Sequence, residues 1–434
     1  MQHFIRPALV TPGLGWAPAL MVGLHIGSPA LRLAAQAVRA DTSAATVEAR
    51  RVPPTEVFLP DTVLIPPGGP RIIRLTAPGS GLAALRLSIA VEETPTETST
   101  VAMLHTLGLE QARAAALPLG VLVGGSRTPW GIAYTIVGPS EEFDYLAYVL
   151  RQAVAEPNPG RVELERARTR VIAEMDRVLE TPAGRLAAQL RAAVAATAPH
   201  PVQATTALES VTELTLPTLW RRIYRPEAMS VVLAGAVPVE VALASLHEIG
   251  SRTTGTGDVL DTYRGLMETE LPRPEVLRRW YGEARVAGDI TDPHSTVLAL
   301  LISRRLRELQ HDFDSSVQLW GIGRTHVLAV TGAAYPSNAT AMRRQVQSAL
   351  SEATANIGAE ILVPVLAALR FELLAAARTP WGLAMHAGRY HDATGEPDAG
   401  YQYVRALNRV SPESLYRYLN ELSARPVTHA EVVP

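Results

Sequence analysis

The sequence predicts an α+β fold made of two similar halves, and three observations carry that reading. The first is an internal echo. Thr181-Pro182-Ala183-Gly184 returns as Thr379-Pro380-Trp381-Gly382, 198 residues on, and Ala207-Leu208-Glu209-Ser210-Val211-Thr212 returns as Ala406-Leu407-Asn408-Arg409-Val410-Ser411, with Val410 following Val211 by 199. Two separate matches at nearly one offset indicate a duplicated unit. The second observation is that both halves alternate short β-type runs with longer helical stretches. The third is that each T-P-x-G interrupts a long helical pattern at the same place. A further TPWG, Thr128 to Gly131, is out of register with the repeat and reads as coincidence.

At 434 residues the chain is long enough for two or three domains, and two halves of about 200 residues satisfy the length prior. A hydrophobic share of 47% against 19% charged residues describes a chain able to bury large cores. The net charge of −2 argues against a nucleic-acid partner, because phosphate binding needs a basic face. There is no cysteine, hence no disulfide frame, thiolate metal site or cysteine nucleophile. Lysine is also absent, so all 40 basic residues are arginine, which excludes Schiff-base chemistry and a lysine-bearing phosphate loop.

Residues 7–31 carry no charge, but Pro7, Pro12, Pro18 and Pro29 make a poor spanning helix. Residues 1–50 therefore read as an N-terminal extension, flexible or signal-like, with a cytoplasmic location expected and export as the alternative. From Val57 come short β-type runs: VFL, TVLI, RIIRL and ALRLSIAVEE. Pro66 to Pro70 form a turn, and Leu85, Leu87 and Ile89 alternate with Arg86 and Ser88 as a strand with one buried face should. A helix is expected over 98–117 with Thr98 or Ser99 as N-cap, strands over 119–125 and 130–137, and a helix over 140–154.

Val162 to Val194 is the most strongly helical stretch. Leu164, Arg168, Val171, Met175 and Val178 follow 3-4 spacing, and Glu174 shares their side of the helix. Arg170 and Arg177 stand at helical spacing to hold that carboxylate. Thr181 and Pro182 stop the helix, and Gly184 lets another begin near Arg185. His200-Pro201 opens a loop, followed by a helix over 214–224, a buried strand at 229–235 and a helix over 238–249. Residues 251–275 are polar and Gly/Pro-punctuated and read as a linker. The domain plan is thus 51–250, a linker at 251–275, and 276–434. The second half is expected to give a strand near 278–286, a helix near 292–309, strands near 316–322 and 325–332, and three more helices.

With these pieces in place, VIAEMDRVLETP, the HP pair, and ALESVTELTLPTLWRRIYRPEAMSVVLAGAV resemble the pitrilysin/insulinase-type metallopeptidases, in their processing-peptidase branch. The resemblance covers nearly all of residues 55–425. It implies two homologous halves, each a mostly antiparallel sheet packed with helices, forming a clamshell around an extended peptide. Catalytic members bind zinc through H-x-x-E-H and a distal glutamate; the motif's own glutamate activates the water. Laid on this chain, the motif falls on His105-Thr106-Leu107-Gly108-Leu109 and the distal ligand on Glu174. Two relics remain, His105 and Glu174, while Gly108 replaces the base and Leu109 the second imidazole. None of the eleven histidines has another at i+4, so no cofactor is expected and His105 also reads as a core or rim histidine.

The resemblance further implies a heterodimer in which a zinc-bearing homologue does the chemistry. The non-catalytic partner of such a pair presents an arginine and a tyrosine to substrate. Arg307 matches the arginine, but seven further on stands Asp314, beside Phe313. The alternative is a surface arginine paired with Glu308 or Asp312. Gly124 and Gly125 fall in the strand near the family's substrate channel, where they permit close approach by a peptide, or else mark an ordinary turn or bulge. The expected function is a pseudoenzyme subunit, not itself an enzyme, that completes the chamber and positions an extended peptide or precursor. The alternatives are a structural scaffold subunit of a larger complex and a hydrolase with unusual metal ligands.

Overall fold

The computed structural model describes residues 55–77, 79–91, 97–128, 130–194, 207–249, 278–309, 313–354 and 357–433. The expected extension at 1–50, the linker at 251–275 and the His200-Pro201 loop lie outside them.

The first half contains β1 (Thr62–Leu64), β2 (Arg71–Leu75), β3 (Leu82–Ala90), α1 (Thr98–Ala116), β4 (Leu122–Thr128), β5 (Gly131–Pro139), α2 (Phe143–Ala153), α3 (Arg161–Glu180), α4 (Pro182–Val194), α5 (Thr215–Ile223), β6 (Met229–Ala234) and α6 (Val239–Leu246). The second contains β7 (Arg279–Asp289), α7 (Pro293–Glu308), β8 (Asp314–Ile322), β9 (Thr325–Ala334), α8 (Ala339–Thr354), α9 (Ala359–Ala377), α10 (Pro380–Thr394), α11 (Ala399–Leu407), α12 (Pro412–Ser423) and β10 (Thr428–Val432). Five helices and a strand follow β9, where the sequence suggested three helices. The Val57-Phe58-Leu59 run, expected as a strand, is instead a 3-10 turn over Glu56–Phe58 that buries Phe58. Glu97, not Thr98 or Ser99, occupies the N-cap position of α1.

The first sheet has the order β1-β2-β6-β3-β5-β4, antiparallel except between β2 and β6. The second has the order β10-β7-β9-β8 and is wholly antiparallel. The order β6-β3-β5-β4 in the first matches β10-β7-β9-β8 in the second, element by element along the chain. The architecture is α+β, in two halves of the same plan.

The T-P-x-G echo has a local cause. Thr181 and Thr379 each accept a bond on Oγ1 from the backbone N–H three residues on, at Gly184 and Gly382, both at 3.0 Å. Proline takes the first helical position, where no intrahelical donor is needed. The glycine lies inside the new helix, which begins at Pro182 and not near Arg185. A Cβ on Gly184 would stand 1.7 Å from the Val178 carbonyl oxygen, and one on Gly382 2.1 Å from that of Ala376. Only glycine lets the second helix fold back so closely on the end of the first.

The helices that follow these turns cross between halves. Leu186 and Leu190 of α4 pack with Ala284, Trp320, Val327 and Ala329 of the second sheet. Leu383, Ala384, Ala387 and Tyr390 of α10 pack with Ile73, Leu75, Ala84 and Val232 of the first. Each sheet thus has its own helices on one face and a helix from the other half on the opposite face. The expectation of one buried face for β3 is corrected by this arrangement: Arg86 is 2% exposed and Ser88 9%. Arg86 Nη2 donates to Asp392 Oδ2 of α10 at 2.5 Å, with both side chains almost wholly buried. A Cβ on Gly388 would lie 2.4 Å from the Arg86 side chain, so glycine admits α10 over the arginine.

Removing one member of a buried ion pair strands the other charge, at a cost of about 3–5 kcal/mol. Asp392→Ala should lower the unfolding free energy by roughly that amount in urea titrations. The double replacement Arg86→Met with Asp392→Leu should recover most of the loss.

Candidate functional site

The segment His105 to Leu109, on which the resemblance lays the zinc motif, lies on α1, under the edge strand β4 and beside α3. His105 is 8% exposed and stacks on Tyr134 of β5, ring centroids 5.5 Å apart. The Tyr134 hydroxyl donates to the His105 carbonyl at 3.4 Å and meets the Tyr224 hydroxyl at 3.0 Å. His105 Nε2 is buried without a hydrogen-bond partner among the described residues. A Cβ on Gly125 would stand 2.6 Å from that nitrogen and 3.1 Å from Leu109 Cδ1. Gly125 is therefore required by the imidazole beneath it. Neither a turn nor a bulge explains the glycines, because Gly124 and Gly125 pair in register with Thr135 and Tyr134.

Gly108 is closely packed. An added Cβ would lie 2.2 Å from the Ala153 carbonyl oxygen and 2.6 Å from the Tyr134 hydroxyl. A glutamate side chain has no room there unless α2 or Tyr134 moves. Leu109, 7% exposed, belongs to the core of the first half.

The charges around the relics are mostly guanidinium groups. Burial, with Arg127 and Arg113 nearby, pushes the His105 pKa down to about 3. Glu174 is half-buried on α3, and burial pushes its pKa up to about 7 against the pull of Arg177, Arg113 and Arg170. Arg170 does not hold Glu174 as the helical spacing suggested; it pairs with Glu110 of α1. Burial likewise raises the Glu110 carboxyl, opposed by Arg170 and Arg113. Arg113 thus acts on His105, Glu110 and Glu174 together. Glu110, Arg113 and Arg127 were missed from the sequence. Arg127 was legible in one respect, since it lies two residues from Gly125 and so on the same face of β4.

Zinc does not fit this donor set. Of the three ligand positions that the resemblance implies, Leu109 carries no donor, and the remaining imidazole is flanked by two cationic side chains. Among the described residues, no three His, Asp or Glu side chains come together as a metal group.

β4 is the outer strand of the first sheet, and Leu122 at its start is 70% exposed. Arg307 lies elsewhere, exposed on the last turn of α7 in the second half, with Nε donating to the Ser303 carbonyl at 3.2 Å. Of its two expected partners, Glu308 pairs with Arg304 and Arg305 and Asp312 lies outside the described residues, while Asp314 pairs with Arg278. The structure brings His105, Leu109 and Gly125 together and leaves Arg307 apart on the other half.

No protein-family profile matches the sequence, and no curated protein matches it. Solved structures do match the fold. A protease from Helicobacter pylori aligns with a TM-score of 0.73 at 13% identity, over 86% of this chain and all of that one. A peptidase M16 inactive domain from Pseudomonas fluorescens gives 0.65 at 12%, over 86% and 97%. A chain of complex III from Candida albicans gives 0.66 at 8%, over 86% and 95%. The fold is that of pitrilysin-type peptidase domains. Among the described residues, no helix is long and apolar enough to cross a membrane.

The buried imidazole makes stability depend on pH in a defined direction. Unfolded, His105 titrates near 6.5; folded, near 3. Only the unfolded chain gains this proton in that window, so stability is intact above pH 6.5 and falls as pH drops towards 3. The contribution is at most about 1.4 kcal/mol per pH unit. His105→Leu should flatten the acid limb, shrinking the stability difference between pH 7 and pH 4.5 by roughly 2 kcal/mol in urea titrations.

Proposed function

We propose that this chain is a non-catalytic subunit of a peptidase-family heterodimer. It completes the chamber around a zinc-bearing homologue and helps position an extended peptide. The observation that carries this reading is position 108, where the water-activating carboxylate of the family motif is replaced by a glycine packed against Ala153 and Tyr134. Without that base and the second imidazole at position 109, the chain has no means of turning a metal-bound water into a nucleophile. Peptide binding uses what is left. An extended segment adds to the outer edge of β4, beside Gly124 and Gly125, through main-chain hydrogen bonds that read little sequence. Arg307 is assigned to substrate carbonyls or carboxylates as a fixed cation. The assignment of 51–250 and 276–434 as two peptidase-like domains joined at 251–275, and a cytoplasmic or exported location, belong to the same proposal.

A second reading, a scaffold subunit without any peptide role, draws support from the likeness to a chain of complex III.

Co-expression with a homologue carrying an intact H-x-x-E-H tests the first reading. Metal content and peptide cleavage are measured for each chain alone and for the mixture. The expected result is zinc in the partner only and cleavage at least tenfold faster in the mixture than with the partner alone. Chelator-sensitive cleavage by this chain unaided overturns the proposal. A stable complex in which this chain changes neither rate nor peptide affinity favours the scaffold.

A further inference from the structure

The duplication supplies an internal reference for which surfaces stay in water. α3 and α9 hold the same place in the two halves, since each ends at its T-P-x-G turn and Thr379 follows Thr181 by 198. Laid on one another at that offset, the two helices match in burial. Leu164, Ala167 and Val171 of α3 are buried, as are their counterparts Leu362, Val365 and Leu369 of α9. Glu165, Arg166, Thr169, Arg170, Ala173 and Arg177 are exposed, and so are Val363, Pro364, Ala367, Ala368, Phe371 and Ala375. One helix thus meets solvent with polar or charged groups at five of these six positions, and its duplicate with none. Val363 is 62% exposed and Phe371 60%. At i, i+4 spacing these residues cover one side of α9 for about 18 Å. An apolar face on a helix whose duplicate is solvated marks a contact surface.

Charge on this face is confined to its ends. Glu360 in the first turn and Arg378 at the C-cap are exposed, and neither has an ion-pair partner among the described residues. Arg370 and Glu372 lie half-buried at opposite margins. The face is complementary to itself when reversed. Turned end for end level with Leu369, Val363 meets Ala375, Phe371 meets Ala367 and Glu360 meets Arg378. Each large side chain falls on a small one, and each end charge on its opposite. We propose that α9 docks on α9 of a second copy of this chain, the two helices antiparallel about a two-fold axis level with Leu369. Such a contact uses one patch twice and closes on itself. The apolar pairs supply the affinity, and the end charges fix the direction, because a parallel pairing would bring like charges together. A single helix pair is smaller than a standard interface, so the dimer is of micromolar strength. The inference does not rest on the function proposed above, which uses the β4 edge and Arg307.

Sedimentation of the full chain across the micromolar range tests this. The chain should pass from monomer to dimer as its concentration rises. Phe371→Glu, with an unchanged melting temperature in dilute solution, should weaken the dimer about a hundredfold, because a two-fold contact carries the change twice. Glu360→Arg and Arg378→Glu should each weaken it about tenfold. An equimolar mixture of those two variants should restore it, since both ends of the mixed pair regain opposite charges. Ala367→Cys gives this cysteine-free chain one thiol, whose chemical modification should slow as protein concentration rises. A chain that stays monomeric overturns the proposal. So does a dimer that Phe371→Glu leaves intact, or a mixture that does not recover. A thiol protected equally at every concentration means that the face is covered within one copy, which overturns the proposal too.

Discussion

The ion pair between Arg86 and Asp392 joins residues 306 apart in sequence, deep between the first sheet and α10. Such a pair gains little over a well-packed apolar contact, because both charges must leave water. Its effect is on arrangement: once Arg86 sits in the middle of β3, only a helix carrying an acid at one place and a glycine at another can cover it. Asp392 and Gly388, one turn apart on α10, meet both conditions. The same helix also reaches the other sheet, where Arg389 Nη2 donates to His326 Nε2 of β9 at 3.2 Å and His326 Nδ1 meets Ser295 Oγ at 2.8 Å. Burial and the Arg389 charge push the His326 pKa down to about 3, so it is neutral and free to accept that bond. One helix therefore ties both sheets through polar contacts of fixed geometry.

Much of this order was visible in the sequence, and the parts that were not share a cause. The duplication was legible because Thr-Pro-x-Gly is a physical device and cannot drift far: the cap, the proline and the close approach each tolerate few substitutions. The β3 pattern was misread for the opposite reason. Alternation of Leu85, Leu87 and Ile89 with Arg86 and Ser88 records two chemically different faces, and solvent is only one way to satisfy a polar face. Nothing near residue 86 announces that its partner stands at 392. The helices after β9 were undercounted because α9 is apolar nearly all round, which blurs its period, and α11 is only nine residues long.

At His105 to Leu109, the resemblance implied that Gly108 and Leu109 stand where the family motif has Glu and His, but it did not show how these two residues pack. The structure shows these positions absorbed into the packing: Gly108 admits a backbone carbonyl and a tyrosine hydroxyl, and Leu109 joins the core. Arg113 and Arg127 bring positive charge to the same place. A glutamate at 108 or a histidine at 109 would have to contend with both the close packing and this field. Glu110, the partner of Arg170, escaped notice because ion pairs between α1 and α3 depend on how the helices lie, which the sequence of neither helix states.

The reciprocal placement of α4 and α10 has a mechanical consequence. Each sheet is roofed by a limb of its neighbour, so swinging the two halves apart would expose apolar sheet on both sides and tear open a desolvated charge pair. Such a body moves as one piece. Its two halves therefore cannot hinge open and shut without that cost.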